Sequence, residues 1–269
     1  MTTNGLIVEP WEAYHAARQT HLTSHALADF RKSPLLYRQK KLGLLPDHDS
    51  EAMITGRAVH CLTLEGEDEY KRQFVTGGPV NPKTGLTYGR QTKKFAEWLE
   101  EHAEDRCHLS DQQAELVEAV AFSVKAHAEV ADALSCGKPE LVARTKYCGV
   151  DCQIRMDWLV DGNDAILDLK TCEDLDSFEY QANRYGYLYQ AAFYQTILAN
   201  VVGCKLPQMF LVAVEKQAPH RTGMWEVGSD VLRECSFKNK AAIEELEDCA
   251  KRNNWPSGYE EIRTIDWME

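Results

Sequence analysis

Long apolar runs are missing from this 269-residue chain; no eighteen consecutive residues are apolar, which excludes a membrane-spanning helix of ordinary length. Residues 1–10 carry neither a basic cluster nor an apolar core, so the expectation is a cytoplasmic protein without a recognisable secretory signal. Positive charge is also scarce. Thirty Lys and Arg against forty-two Asp and Glu leave a net charge of −12, which repels a polyanion if spread evenly. Nucleic-acid binding therefore requires a local basic patch. Paired CxxC spacing is absent. The cysteines are Cys61, Cys107, Cys136, Cys148, Cys152, Cys172, Cys204, Cys235 and Cys249, an odd number that reads as reduced thiols. Only Cys148 and Cys152 lie close together, too few for a zinc or iron–sulfur site. No GxxxxGK[ST] loop is present, so this chain holds no nucleotide-driven motor of that type. Repeats and low-complexity tracts are lacking too. What remains, 44% hydrophobic and 27% charged residues, is globular composition, and the length suits one elaborated domain over 1–269.

Ser24 is the expected cap of a helix that runs through Arg31 and Lys32 to Ser33-Pro34, where a second short helix starts toward Leu42. Arg31, Lys32, Arg38, Lys40 and Lys41 lie within eleven residues that contain no acid. They are the local positive patch that the net charge demands, with a solvated helix face as the plain alternative. Residues 53–65 read as a helix and 75–92, rich in Gly, Pro, Thr and Asn, as a long loop. Arg90, Lys93 and Lys94 form a second basic group or a solvated helix start. Amphipathic helices are expected over 95–103 and 110–134, the second capped by Ser110 with Gln113 and both packing across a sheet. The period then changes. Residues 141–147, 152–160 and 165–170 read as strands of two successive hairpins, followed by a helix over 177–202, strands over 208–215 and 224–227, and a charged helix over 230–251. This order implies an α/β or α+β fold, with a mainly helical part over 1–135 and a sheet-bearing core over 136–269.

The densest chemistry lies between Arg155 and Lys170. A two-residue turn at Gly162-Asn163 places Asp157 opposite Asp168 and Arg155 opposite Lys170, with opposed Cβ atoms roughly 5 Å apart. Two carboxylates and a lysine then share one surface, flanked by Ile154, Trp158, Leu159, Ile166 and Leu167. Like charges that close destabilise a sheet unless something neutralises them, and a divalent cation does so. Carboxylate oxygens suit Mg²⁺, with Mn²⁺ as a substitute, and Lys170 is then available to orient or deprotonate water or to clamp a phosphate. The alternative is that Asp157 and Asp168 are solubilising residues beside a turn. Trp158, Trp225 and Trp255 read as packing residues.

Asp157 followed by Asp168-Leu169-Lys170 resembles the motif of the PD-(D/E)xK nuclease superfamily, and the surrounding chain resembles its RecB/RecE branch. Gly56-Arg-Ala-Val-His60 resembles the helix that carries a metal-binding histidine there. Gln190-Ala-Ala-Phe-Tyr194 resembles its QxxxY motif, and the stretch from Ser24 to Pro34 resembles its DNA-contacting helix. The likeness covers roughly residues 10 to 215, in order. It implies a restriction-endonuclease-like core, a central mixed β-sheet flanked by helices, with an amino-terminal helical extension. It further implies that His60, Asp157, Asp168 and the backbone carbonyl of Leu169 hold metal, one or two Mg²⁺ ions per site. Lys170 is then the catalytic lysine, and Gln190 and Tyr194, which share one helix face, position it or the DNA backbone. Glu140 corresponds to an acid that some relatives place beside the metals, with a strand-entry surface residue as the alternative. Ser24, Arg31, Lys32 and Arg38 are the implied DNA contacts. The implied activity is exonucleolytic hydrolysis of double-stranded DNA ends, 5′ to 3′. It leaves 3′ single strands for a RecT-like annealing protein in phage or prophage recombination, by a homo-oligomeric ring that encloses DNA. An endonuclease on the same fold and a non-catalytic DNA-binding module are the rival readings.

Overall fold

The computed structural model describes residues 5–45, 50–203 and 205–264; Cys204 and the first four residues of the amino-terminal stretch lie outside the described residues. Strand β1 (Leu6–Ile7) leads into helices α1 (Trp11–Ala17), α2 (Ser24–Lys32), α3 (Pro34–Lys41) and α4 (Glu51–His60). The last continues as a π-helical turn over Cys61–Glu65 before α5 (Glu67–Gln73). Strand β2 (Phe74–Thr76), α6 (Lys93–His102), β3 (Cys107–Leu109), α7 (Asp111–Ala126) and α8 (Ala128–Leu134) complete the first half. The second half comprises β4 (Gly137–Tyr147), β5 (Val150–Val160), β6 (Ala165–Cys172), α9 (Phe178–Arg184), α10 (Tyr187–Val202), β7 (Gln208–Glu215), β8 (Thr222–Glu226) and α11 (Ser229–Arg252). Among the described residues no helix is long and apolar enough to cross a membrane.

Six strands form one mixed sheet in the order β1-β4-β5-β6-β7-β8, in which only β6 and β7 run parallel. Their connection carries α9 and α10, as a parallel crossover requires. Alternating residues of the buried strands feed two cores. Met209, Leu211 and Ala213 of β7 pack with Phe193 and Ile197 of α10 and Ile243 of α11. Val212 and Val214 face the other way, toward Val117, Val120 and Val124 of α7 and Val59 of α4. Each of these Val, Leu, Ile, Phe and Met side chains contributes about 1.5–3 kcal/mol on burial. The sheet is thus a middle layer, with α2, α10 and α11 on one face and α4, α7 and α8 on the other. This is the α/β architecture expected of a restriction-endonuclease-like core.

Several boundaries differ from the sequence reading. Thr23, not Ser24, caps α2, its hydroxyl accepting the Ala26 N–H; Leu22 is tied by backbone bonds to Asp151 and Gln153, which fixes the helix start one residue earlier. Ser24 is buried in the first turn. Two helices expected to be continuous are each broken. His127, with ψ 117°, ends α7 and caps α8 through Val130, and Gly186, with φ 77°, separates α9 from α10. In both cases the apolar pattern runs on because the two pieces bury the same face. Strands β1, β2 and β3 have two or three residues each, too few to show a period.

Candidate active site

The turn between β5 and β6 has positive φ at both Gly162 and Asn163, and the strands pair Trp158 with Leu167 and Leu159 with Ile166. This is the expected register, and its next step would oppose Asp157 and Asp168. The ladder ends at Trp158 instead. Ile154, Met156 and Leu159 belong to one core while Trp158 belongs to the other, so the side-chain alternation of β5 slips by one residue at Asp157. Facing that slip on β4 is Glu140, which lies between the pairs Pro139–Trp158 and Leu141–Met156 and has φ 56°, a strained value for a residue with a side chain. One Asp157 oxygen, Oδ2, accepts the Leu169 N–H at 2.8 Å, standing in for a strand carbonyl. The predicted opposition of Arg155 and Lys170 is therefore corrected. With the strands parted, Arg155 turns to Glu140, its Nε 2.5 Å from Oε2.

Asp168 and Lys170 alternate with Leu167 and Leu169, whose side chains fill the α7 core, so the two polar residues face α10. Lys170 Nζ lies 2.5 Å from Asp168 Oδ2 and donates to Gln190 Oε1 at 3.2 Å, while Gln190 Nε2 donates to Asp168 Oδ1 at 3.1 Å. Gln190 thus fixes both partners with one amide. Tyr194, one turn further along α10 on the same face, is buried. His60, the last residue of α4 before the π-helical turn, brings Nδ1 to 3.4 Å from Asp157 Oδ2. The structure therefore gathers His60, Asp157, Asp168, Lys170, Gln190 and Tyr194 at one break in the sheet, with Glu140 beside it.

Burial raises the Asp168 carboxyl against the pull of Lys170, and Asp157 raises it further. Burial lowers the Lys170 ammonium, but the Asp168 and Asp157 carboxylates outweigh it and leave its pKa raised. The Glu140 carboxyl is pushed up to about 8 by burial and by Asp157, which together exceed the contribution of Arg155. Carboxyls raised by burial and by one another make a site at which added positive charge is favourable. Asp168 Oδ2 is buried without an aligned hydrogen-bond donor, and two carboxylates with an imidazole make a donor set suited to a hard divalent ion. Among the described residues no three acidic, His or Cys side chains are spaced to hold an ion as they stand. Lys170 Nζ lies against Asp168 Oδ2, and Asp157 Oδ2 accepts the Leu169 N–H.

Residues 24–266 match the family described as a PDDEXK-like domain of unknown function (DUF3799). The chain belongs to this family. A candidate exonuclease from Eubacterium rectale has a crystal structure that superposes with a TM-score of 0.70, at 16% identity over 97% of each chain, which shows a shared fold. The alkaline exonuclease LHK-Exo from Laribacter hongkongensis is 14% identical over 90% of this chain and 97% of its own, with a TM-score of 0.30. Its complex with dAMP gives 15% and 0.36. No curated protein sequence matches the chain.

In this PDDEXK-like chain the basic run of α2 and α3 is largely engaged by the protein itself. Arg31 donates to Asn239 at 2.6 Å and lies over the Tyr189 ring, and Arg38 lies over Trp255. Lys40 pairs with Asp29 at 3.0 Å and Lys41 donates to the Arg18 carbonyl, whereas Lys32 is exposed. In the second basic group, Arg90 bonds Gln113, Lys93 pairs with Glu97 and Lys94 bonds Tyr88. Trp158 is a core residue, and Trp225 and Trp255 pack against the other core, as the sequence implies. Sequence reasoning missed Tyr187, whose ring lies 4.7 Å from Lys170 Nζ. Its position three residues before Gln190, on the same helix face, was the available signal.

Proposed function

We propose that the chain is a metal-dependent exodeoxyribonuclease that hydrolyses phosphodiester bonds from the ends of double-stranded DNA, 5′ to 3′, leaving 3′ single strands for annealing-type recombination. The observation that carries this reading is the broken ladder at Asp157, where two carboxylates, a lysine and an imidazole meet although nothing in the fold alone requires them there. His60, Asp157, Asp168 and the Leu169 carbonyl would hold Mg²⁺, with Mn²⁺ as a substitute. Such an ion supplies an activated water and stabilises charge on a phosphoryl oxygen. Lys170, held protonated by its carboxylate neighbours, is suited to grip a phosphate oxygen or to orient water rather than to deprotonate it. Gln190 keeps that ammonium aligned, and Tyr194 lies buried one turn beyond Gln190.

Duplex ends as substrate, a RecT-like annealing partner, a cytoplasmic setting and a homo-oligomeric ring around DNA complete the proposal. A ring would reconcile a net charge of −12 with DNA binding by turning residues such as Lys32 inward. The test compares linear 5′-phosphorylated duplex with closed circular duplex, in Mg²⁺ or EDTA, for the wild type and Lys170→Ala. Loss of linear DNA alone, abolished by EDTA and by the substitution, is the expected result. Cutting of the circle would replace this reading with an endonuclease, and binding without cleavage would leave only a DNA-binding module.

A further inference from the structure

Gly186, in the left-handed region at φ 77°, turns the chain between α9 and α10 and brings the rings of its two neighbours together. Tyr185 and Tyr187 stand 5.9 Å apart between centroids, at 47°. On its inner side Tyr187 lies against Lys170 Nζ at 4.7 Å and 6.4 Å from Phe178, which is itself 1% exposed and packed on Trp225. Tyr187 is thus anchored both to the core and to the lysine of the site. Tyr185 is the outer member and is 58% exposed. Lysine and two rings therefore form a short ladder from the buried carboxylates to solvent, and its outer aromatic face is uncovered.

We infer that Tyr185 and Tyr187 form a stacking platform for an unpaired nucleobase of the nucleotide whose phosphate Lys170 grips. This rests on the nuclease reading above and deepens it. Nucleotides place a flat aromatic group near a phosphodiester, and the ladder sets the exposed Tyr185 ring one ring beyond the Tyr187 ring that lies against the ammonium. Stacking accepts every base, because each has a π face, so the platform confers no sequence preference. A paired base inside a duplex has no free face to offer. The platform therefore selects a frayed or single-stranded terminus, and this would direct the site to DNA ends.

Duplexes carrying 2-aminopurine at the 5′ or the 3′ terminus, mixed with the protein in EDTA, report stacking as fluorescence quenching without any turnover. The wild type is expected to quench one terminal probe and not an internal one. Tyr185→Ala is expected to abolish the quench and weaken binding of a frayed end about 5- to 150-fold, the range of one lost base–aromatic stack. Tyr185→Trp retains both. Because Tyr185 is exposed, an unchanged melting temperature in Tyr185→Ala shows that the fold is intact. A wild type that degrades linear DNA with no quench, or a Tyr185→Ala protein that quenches and binds like the wild type, overturns the platform and leaves the nuclease reading in place. Failure of the wild type to bind or cut DNA overturns both.

Discussion

Adding a divalent cation to the metal-free protein should stabilise it, and the structure sets the scale. Asp168 is 2% exposed, one of its oxygens lacks an aligned donor, and its carboxyl is raised by burial and by Asp157. An ion that binds only the folded chain stabilises it by about 2.7 kcal/mol when present at a hundredfold excess over its dissociation constant. For 269 residues the unfolding entropy is about 0.6 kcal/mol per degree, so the melting temperature should rise by about 5 °C. Since protons compete for the same oxygens, the rise should be larger at pH 8 than at pH 6. Asp168→Asn removes the charge and keeps the shape, and should abolish the metal-dependent rise even if its own baseline differs. Differential scanning fluorimetry with EDTA, Mg²⁺ and Mn²⁺ measures this directly. An equal rise in wild type and Asp168→Asn, or none in the wild type, would refute the assignment of the ion to this site.

Glu140 makes a second prediction through pH. Its folded pKa of about 8 lies above the ordinary 4.5, so the unfolded chain gives up this proton first and the metal-free protein loses stability as pH rises from 4.5 to 8. Glu140→Gln does not titrate. Its stability relative to wild type should therefore improve over that window by a few kcal/mol at most, measured by urea unfolding in EDTA at pH 5, 7 and 9. Parallel profiles would show that Glu140 is not held protonated. For Gln190, which bonds both Lys170 and Asp168, the Ala variant should lower single-turnover hydrolysis about 10- to 100-fold while leaving DNA affinity in EDTA unchanged. A matching loss of affinity would instead make Gln190 a DNA contact.

The hairpin between β5 and β6 was legible because Gly162 and Asn163 tolerate positive φ, which fixes the register, and Gln208–Glu215 was legible as a run of apolar residues closed at both ends. The basic run was legible as charge but not as contact. Its partners Asn239, Trp255 and the Arg18 carbonyl come from distant segments that no local pattern connects to it. The end of the ladder was not legible at all. Glu140 has no chemical preference for φ 56°, and Asp157 reads like any other residue of an alternating strand. Yet that break is what makes the cluster possible. Had β5 and β6 stayed paired, a β5 carbonyl would have satisfied the Leu169 N–H and Asp157 would have stood as one more cross-strand side chain. Parting the strands leaves the N–H to Asp157 Oδ2, which holds the carboxylate beside Asp168 and keeps Oδ1 from that bond. In this chain Asp157, next to the last paired residue of β5, thus takes the hydrogen bond that a strand carbonyl would have accepted. Asp157 raises both Asp168 and Glu140, and this repulsion is what an added cation would offset, which is why the stability of the metal-free chain should answer to one.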